Sequence, residues 1–405
     1  MNNNTNNEHL PDVSTAAANW LQFTKSLAET GSSIHARAAA SNNPPDLTQV
    51  NESLLWALCS GLAALPHIDR NRPQWYPLIN SAVRRYNVNA DTVYSVAYLH
   101  GAGCYRIAGR RGSVFMVNLQ LHSGDPGQEA PTALLIDINL DDCHIEADGS
   151  FEIIFSSKRP TNYSGNWFSL DPANDKLFIL LRQIAYDWLN EIDAQLSILS
   201  LDPPVDEPHP NRQTIDTQMT EIAAYINGST SAMMNVIDVQ HSRSVSINAV
   251  QDVTTTLPTI SDQAYTHGVI EIDDQTAWIA EFVIPTNSKY WSVQLMDSFY
   301  NALDYTYHQT SINGYTGRVD PDGKVRVIVC NTDPLVANWL DKGDYPRTMI
   351  RFRWFGTSHP AITTKTVPLA ELNNHLPTST ARLTPAQRQQ ALRQRAMGLQ
   401  MRRRW

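Results

Sequence analysis

Asp297 and Asp304 sit seven residues apart in a stretch crowded with rings: Tyr290, Trp291, Phe299, Tyr300, Tyr305, Tyr307 and Tyr315. A carboxylate desolvated among such rings has a raised pKa and can act as a general acid, while a second, solvated carboxylate serves as base or nucleophile. Aromatic walls with a few polar groups also suit sugars and hydrophobic small molecules. The expected catalytic pair is therefore Asp297 and Asp304, with Tyr290, Trp291, Tyr300 and Tyr305 lining a pocket. The competing reading of the same residues is an aromatic core whose hydroxyls reach its edge.

Further candidates lie upstream and downstream of this stretch. In Asn89–Tyr94 (NADTVY), Asp91 and Tyr94 are placed to enter a pocket between a helical cap and a sheet, although Asn and Asp also serve turns. Arg106 falls inside a strand and Arg353 in another, where a guanidinium orients an anionic group or pairs with a buried carboxylate. His144, Glu146 and Asp148 share one strand face at spacing two, a pattern that could ligate a metal. Asp148, however, belongs to an Asp-Gly turn, so no metal site is expected. There is no HExxH, no glycine-rich phosphate loop and no GxSxG elbow, and no cofactor is implied.

The elements that must hold these residues read mainly as β. Trp291, Val293 and Leu295 alternate with Ser292, Gln294 and Met296. Val325, Val327 and Val329 alternate with Lys324, Arg326 and Ile328, and Ile350, Phe352 and Trp354 with Arg351 and Arg353. Period two with one buried face is a strand signature, and wetting of the other face would by itself account for the basic residues. Asp322-Gly323 predicts a hairpin, as does Asp148-Gly149. The turn in ADGSFEIIFS is followed by Asn166-Trp167 and that in PDGKVRVIVC by Asn338-Trp339, at nearly equal separations, which suggests two domains of one plan.

The predicted class is mainly β with helices (α+β): two antiparallel β-sandwich or jelly-roll domains, an N-terminal helical portion, a helical connector and a C-terminal helix. The expected division is 1–12 disordered, 13–80 helical, 81–200 first sandwich with a trailing helix, 201–265 linker and helical connector, 266–370 second sandwich, and 371–405 a basic helical tail. Thr384 and Pro385 supply the start signal of the last helix.

At 405 residues the chain is longer than one core normally serves. No apolar run is long enough to span a bilayer, and the first residues lack the basic and apolar regions of a secretory signal, so a cytoplasmic location is expected. The four cysteines are scattered without a CxxC, which argues against a zinc site or disulfide framework. A net charge of -9 argues against nucleic acid as a partner. Seven arginines and no acid follow from Arg382 on, so the tail is expected to dock on the acidic body or to build a homo-oligomer.

With these pieces assembled, NADTVY, CYRIAGRRGSV, ADGSFEI, GNWFSL, LRQIAYDW, KYWSVQLMDSFYNALDY and NTDPLVANWLD, the chain resembles the domain-of-unknown-function 1214 family, which often travels with the 1254 domain. The resemblance covers about residues 80 to 400 and implies paired β-sandwiches with a helical portion, without an established reaction. Two departures stand out: family members usually read NPD at Asn89–Asp91, and a histidine follows NWLD where this chain has Lys342–Tyr345. The expected function is an enzyme of hydrolase or lyase type acting on a hydrophobic or glycosylated small molecule. The alternative is a non-catalytic small-molecule-binding or assembly protein.

Overall fold

The computed structural model describes residues 13–41, 44–65, 68–126, 132–203, 212–242, 246–253, 263–356 and 359–402; segment 1–12, expected to be disordered, lies outside them. Two runs of nine strands follow one another. The first is β1 Tyr76–Pro77, β2 Thr92–Leu99, β3 Tyr105–Arg110, β4 Met116–Ser123, β5 Leu134–Asn139, β6 Ser150–Ser156, β7 Asn166–Ser169, β8 Leu177–Ile184 and β9 Gln195–Ser200. The second is β10 Val250–Asp252, β11 Gln263–Glu271, β12 Thr276–Val283, β13 Tyr290–Met296, β14 Ser311–Asn313, β15 Lys324–Cys330, β16 Trp339–Asp341, β17 Arg347–Phe355 and β18 Thr363–Pro368.

Each run makes one sandwich with the same wiring. A five-stranded sheet, ordered β1-β2-β8-β4-β5 in the first and β10-β11-β17-β13-β14 in the second, packs on a four-stranded sheet, β7-β6-β3-β9 and β16-β15-β12-β18. The pairs β6/β7 and β15/β16 are parallel, so the outer sheets are mixed. Alternate residues fill the cores: Leu119, Leu121, Ile179 and Leu181 with Ile107 and Ile153 in the first, Val293, Leu295, Ile350 and Phe352 with Val325 and Val327 in the second.

The duplication extends to single hydrogen bonds. The Asn166 side chain accepts from His144 N (2.8 Å) and donates to His144 O (2.9 Å), and the Asn338 side chain does the same to Arg318 (2.7 and 2.7 Å). Both clamped residues lie four positions before the Asp of the Asp-Gly turn. Gly149 and Gly323 take positive φ there, +81° and +80°, the conformation such a turn demands. The Asn-Trp pairs are therefore structural.

Two expectations change. The stretch expected to close the first sandwich as a helix is instead a loop and strand β9. Glu191 pins the loop by accepting from the backbone N–H groups of Phe115, Tyr186 and Asp187, and β9 pairs with β3. The second sandwich also starts earlier than residue 266, at β10, the counterpart of β1.

Helices α1 Val13–Ala39, α2 Leu47–Ala64 and α3 Arg212–Ser242 pack together through Phe23, Ala57, Ile222 and Tyr225. Ile34, Val50, Met233 and Ile237 then seat the three on Val269, Met296 and Met349 of the second five-stranded sheet. Helix α4, Pro385–Arg402, opens with a capping box: Gln387 N–H donates to Thr384 Oγ1 (3.2 Å) and Thr384 N–H to Gln387 Oε1 (2.8 Å).

Candidate functional site

The alternation in β13 and β17 does not mark a wet face. Every residue of β13 is buried, and Arg351 and Arg353 are only 4% and 3% exposed. The reason is coverage: the outward face of this sheet meets the helices at one end and the outward face of the first five-stranded sheet at the other. The two sheets touch through Met116 and Ile184 on one side and Tyr290 on the other, with Phe115, Tyr186 and Phe355 packed around them. Beyond this apolar floor the facing residues turn polar.

The strand registers set the same side chains in matching places. Tyr94, Arg182 and Asn118 lie side by side across β2, β8 and β4, as Tyr265, Arg353 and Ser292 do across β11, β17 and β13. Gln120 and Gln294 follow one row on. Arg182 donates Nη1–H to Gln120 Oε1, and Arg353 donates Nη1–H to Gln294 Oε1 (3.2 Å). Tyr265 stands within electrostatic reach of Arg182 and Tyr94 from the opposite sheet and of Arg351 and Arg353 from its own.

The polar seam holds three guanidinium groups, two of them buried. Arg351 stacks on Tyr265 at 5.5 Å, and its Nε has no hydrogen-bond partner among the described residues. Burial pushes its pKa down to about 10, which leaves it charged at neutral pH. Desolvation also lowers the pKa of the partly buried Arg182, with Tyr94, Tyr265 and Asp137 acting against it; Asp137 in turn accepts from Asn118 (2.6 Å) and Gln120 (3.2 Å). Arg353 spends its remaining donors on Asn87 O (2.7 Å) and Oδ1 (2.8 Å). Among the described residues none of the three forms an ion pair with a carboxylate. The Asn118 Oδ1 and Gln294 Nε2 atoms are buried without hydrogen-bond partners among the described residues. So are both ring nitrogens of His122, which stacks on Phe178 at 4.8 Å and whose pKa burial lowers to about 4. Buried guanidinium groups are normally paired, because an uncompensated buried charge costs several kcal/mol.

The residues expected from the sequence divide between this seam and its surroundings. Tyr94 and Arg353 are in it. Tyr300 borders it: its hydroxyl lies 3.0 Å from Nε2 of His267, the neighbour of Arg351 across the β11/β17 ladder. Asp91 and Tyr290 form a knot at the floor. The Asp91 carboxylate accepts from Tyr290 OH (2.6 Å), Trp188 Nε1 (2.9 Å) and Asn313 Nδ2 (2.9 Å), and burial raises its pKa against these donors. Trp291 points into the second core beside Phe282 and Trp354. Tyr305 is buried in the first core, and Arg106 lies half-exposed on the outer sheet, paired with Glu152. His144 and Glu146 bond each other at 3.2 Å on the surface, while Asp148 accepts from Ser150 in its turn.

Asp297 and Asp304 occupy a corner of their own. Asp297 Oδ1 accepts from the backbone N–H groups of Phe299 and Asn301 (both 2.8 Å) and Oδ2 from Asn301 Nδ2 (2.8 Å). Asp304 accepts from Thr306 N–H (2.8 Å) and faces Arg84 at 3.4 Å, so it serves a turn and an ion pair. Burial dominates at Asp297 and raises its pKa to about 7 against those donors, with Glu52 adding to the rise. The folded state then holds a proton that the unfolded chain releases near its ordinary value. The stabilisation is complete below that value and fades as pH rises through about 7, by on the order of 4 kcal/mol at about 1.4 kcal/mol per unit. Asp297→Asn is expected to flatten the pH dependence of urea unfolding across this window; an unchanged slope would assign it to other groups.

The residues that sequence reading passed over, Gln120, His122, Arg182, Tyr265, Gln294 and Arg351, have in common that only strand register brings them together. A signal for some was present in the paired segments VNLQL at 117–121 and WSVQL at 291–295.

With this geometry in view, the likenesses to known proteins can be stated. Residues 113–186 and 276–359 match the family described as "Protein of unknown function (DUF1214)". The matched stretches take in β4 to β8 of the first run and β12 to β17 of the second, and so most of both inner sheets. A crystal structure of an uncharacterized protein from Burkholderia cenocepacia has the same fold: TM-score 0.78 at 23% identity, over 88% of this chain and 98% of that one. A protein from Vibrio parahaemolyticus matches more loosely, with TM-score 0.45 at 14% identity over 78% of this chain and 98% of that one. No curated protein matches.

Proposed function

We propose that this protein binds a small anionic molecule in the polar seam between its two five-stranded sheets. The observation that carries the reading is a set of three arginines, the buried Arg351 and Arg353 and the partly buried Arg182, that form no ion pair with a carboxylate among the described residues. Carboxylates and phosphates accept the planar fork of a guanidinium with two parallel hydrogen bonds, and a desolvated site strengthens them. Tyr94 and Tyr265, only partly buried, flank Arg182 and Arg353 in the strand registers.

This is the binding alternative to a hydrolase or lyase built on Asp297 and Asp304. Acid and base chemistry needs a carboxyl free to exchange a proton with substrate. Both oxygens of Asp297 are committed within its own loop, and Asp304 is held by Arg84. The basic helix α4 spends its buried arginines inside the chain, so an oligomer built on it would use its other face, where Met397 and Met401 are exposed. No helix among the described residues is long and apolar enough to cross a membrane.

The test is titration calorimetry of the full chain with phosphate, citrate, succinate and benzoate. At least one is expected to bind, and Arg351→Met to weaken it at least tenfold, about 1.4 kcal/mol, with unchanged far-UV circular dichroism. Heat absent for every anion would refute the reading.

A further inference from the structure

The four sheets end in eight edge strands, and seven of them are blunted in ways that keep one sheet from growing onto another. β1, β7, β10, β14 and β16 are two to four residues long. β5 carries Asp137 and meets β4 through a register shift at Leu121/His122. β18 carries Lys365 and ends at Pro368, after which Leu372 of the short helix Leu369–His375 packs on Val367. β9 holds in the first repeat the place that β18 holds in the second, and it has none of these devices. Its sequence, QLSILS, is six residues long without a charge or a proline.

The ladder with β3 decides which backbone groups face the open side. Leu201 N–H donates to Cys104 O (2.8 Å), which puts Leu199, Ser197 and Gln195 in the rows bonded to β3. The N–H and C=O groups of Leu196, Ile198 and Ser200 therefore point away from β3, and no strand among the described residues pairs with them. The side chains of Leu196 and Ile198 pack in the first core, which fixes the edge. On the outward face Leu199 and Leu201 stand 54% and 49% exposed.

We infer that two copies of the chain join edge to edge along β9, antiparallel about a two-fold axis at Ile198, so that the outer sheets of the two first repeats run on as one. The strand itself argues for a second copy as the occupant. A pairing centred on Ile198 sets Leu196 of one copy opposite Ser200 of the other, and these are the residues whose backbone groups are open. On the outward face it sets Leu199 opposite Ser197 and Leu201 opposite Gln195, so both exposed leucines gain cover and no charge meets a charge. A foreign peptide would find no charge on this strand to be selected by.

Light scattering of the full chain across a concentration series is expected to give twice the chain mass. Ser197→Lys with Leu199→Lys sets lysine against lysine in both outward rows beside the axis and is expected to weaken the dimer at least about tenfold. Ser197→Glu with Leu199→Lys sets unlike charges in the same rows and is expected to keep it. Both positions are exposed, so neither change enters a core, and far-UV circular dichroism checks the fold. Amide hydrogen exchange reads the edge directly: the N–H groups of Leu196, Ile198 and Ser200 are expected to exchange at least about tenfold more slowly in the natural chain than in the two-lysine variant. A natural chain of single mass overturns the inference. So does a dimer that survives the two lysines, which would lie on another surface such as the exposed face of α4, and so does one lost equally in both charged variants. Should a variant misfold, the natural chain decides: slow exchange of the three amides that quickens on dilution supports the pairing, and exchange at the rate of an open edge overturns it.

Discussion

Arg402→Met is expected to lower the free energy of unfolding by about 3–5 kcal/mol, the usual consequence of leaving one partner of a buried ion pair alone. Arg402 pairs with Asp193 at 2.9 Å, with side-chain exposures of 3% and 2%. It also donates to the backbone oxygens of Asp91 (2.9 Å) and Gln183 (3.0 Å). It is the last of three arginines at seven-residue spacing on one face of α4, and each reaches a different part of the body. Arg388 binds Asp333 (2.9 Å) and Val336 O (2.6 Å) in the second sandwich. Arg395 binds Tyr305 O (2.6 Å) and Ser311 O (3.1 Å), with its guanidinium 4.5 Å from the Trp188 ring. Arg402 closes on the first sandwich. At 1.5 Å per residue the row spans about 21 Å, so α4 works as a staple across both repeats. Gly398 lets the helix approach: a Cβ there would fall 2.8 Å from the Trp188 backbone. Urea unfolding of Arg402→Met, Asp193→Leu and the double variant checks the pair. Each single change is expected to be costly, and the double to cost clearly less than their sum, because an apolar pair leaves no buried charge. Strict additivity would refute the coupling.

How much of this was legible before the structure depends on which forces are local. The strands were, because Val325, Val327 and Val329 against Lys324 and Arg326 carry their period in the sequence, and because Asp-Gly turns have one geometry. The repeat was legible at Asn166-Trp167 and Asn338-Trp339, since both pairs satisfy the same backbone clamp. The seam was not. Alternating Arg351 and Arg353 look the same whether water or another sheet covers them, and coverage is decided by segments far away in the chain. Tyr94, Arg182 and Gln120 become neighbours only through the β2/β8/β4 register. Asp297 misled for a related reason. Carboxylates among rings suggest catalysis, but Asn301, four residues on, supplies two of the donors that absorb it.

The Asp91 knot is where the two repeats are joined, and its removal should uncouple them. Its carboxylate, at the entry to β2 of the first repeat, accepts from Tyr290 on β13 and Asn313 on β14 of the second, and from Trp188 in the loop after β8. Asn89 adds a bond from its side-chain amide to Tyr290 OH (2.9 Å), and its neighbour Ala90 donates N–H to Gln294 Oε1 (3.1 Å). These groups are shielded from water: Asp91 is 3% exposed, Tyr290 1%, Asn313 2% and Trp188 8%. Asp91→Ala strands the Trp188 indole N–H and takes the better acceptor from two further donors, Asn313 Nδ2, which keeps Tyr186 O (3.0 Å), and Tyr290 OH, which keeps Asn89 Oδ1 (3.4 Å); a buried donor left alone costs roughly 1–3 kcal/mol. The expected loss is therefore about 2–4 kcal/mol, a large share of the stability of many domains. Each repeat keeps a complete core of its own, so unfolding is expected to change from one transition to two. Tyr290→Phe removes one donor and its demand together and should cost about 1 kcal/mol. Combined with Asp91→Ala it should cost less than the sum of the two, because the hydroxyl it deletes has already lost its Asp91 acceptor and keeps only Asn89. Calorimetric scans of the three variants read both effects. A single sharp transition for Asp91→Ala, at a midpoint near that of the natural chain, would mean that the repeats are held together by α4 and the apolar floor without the knot.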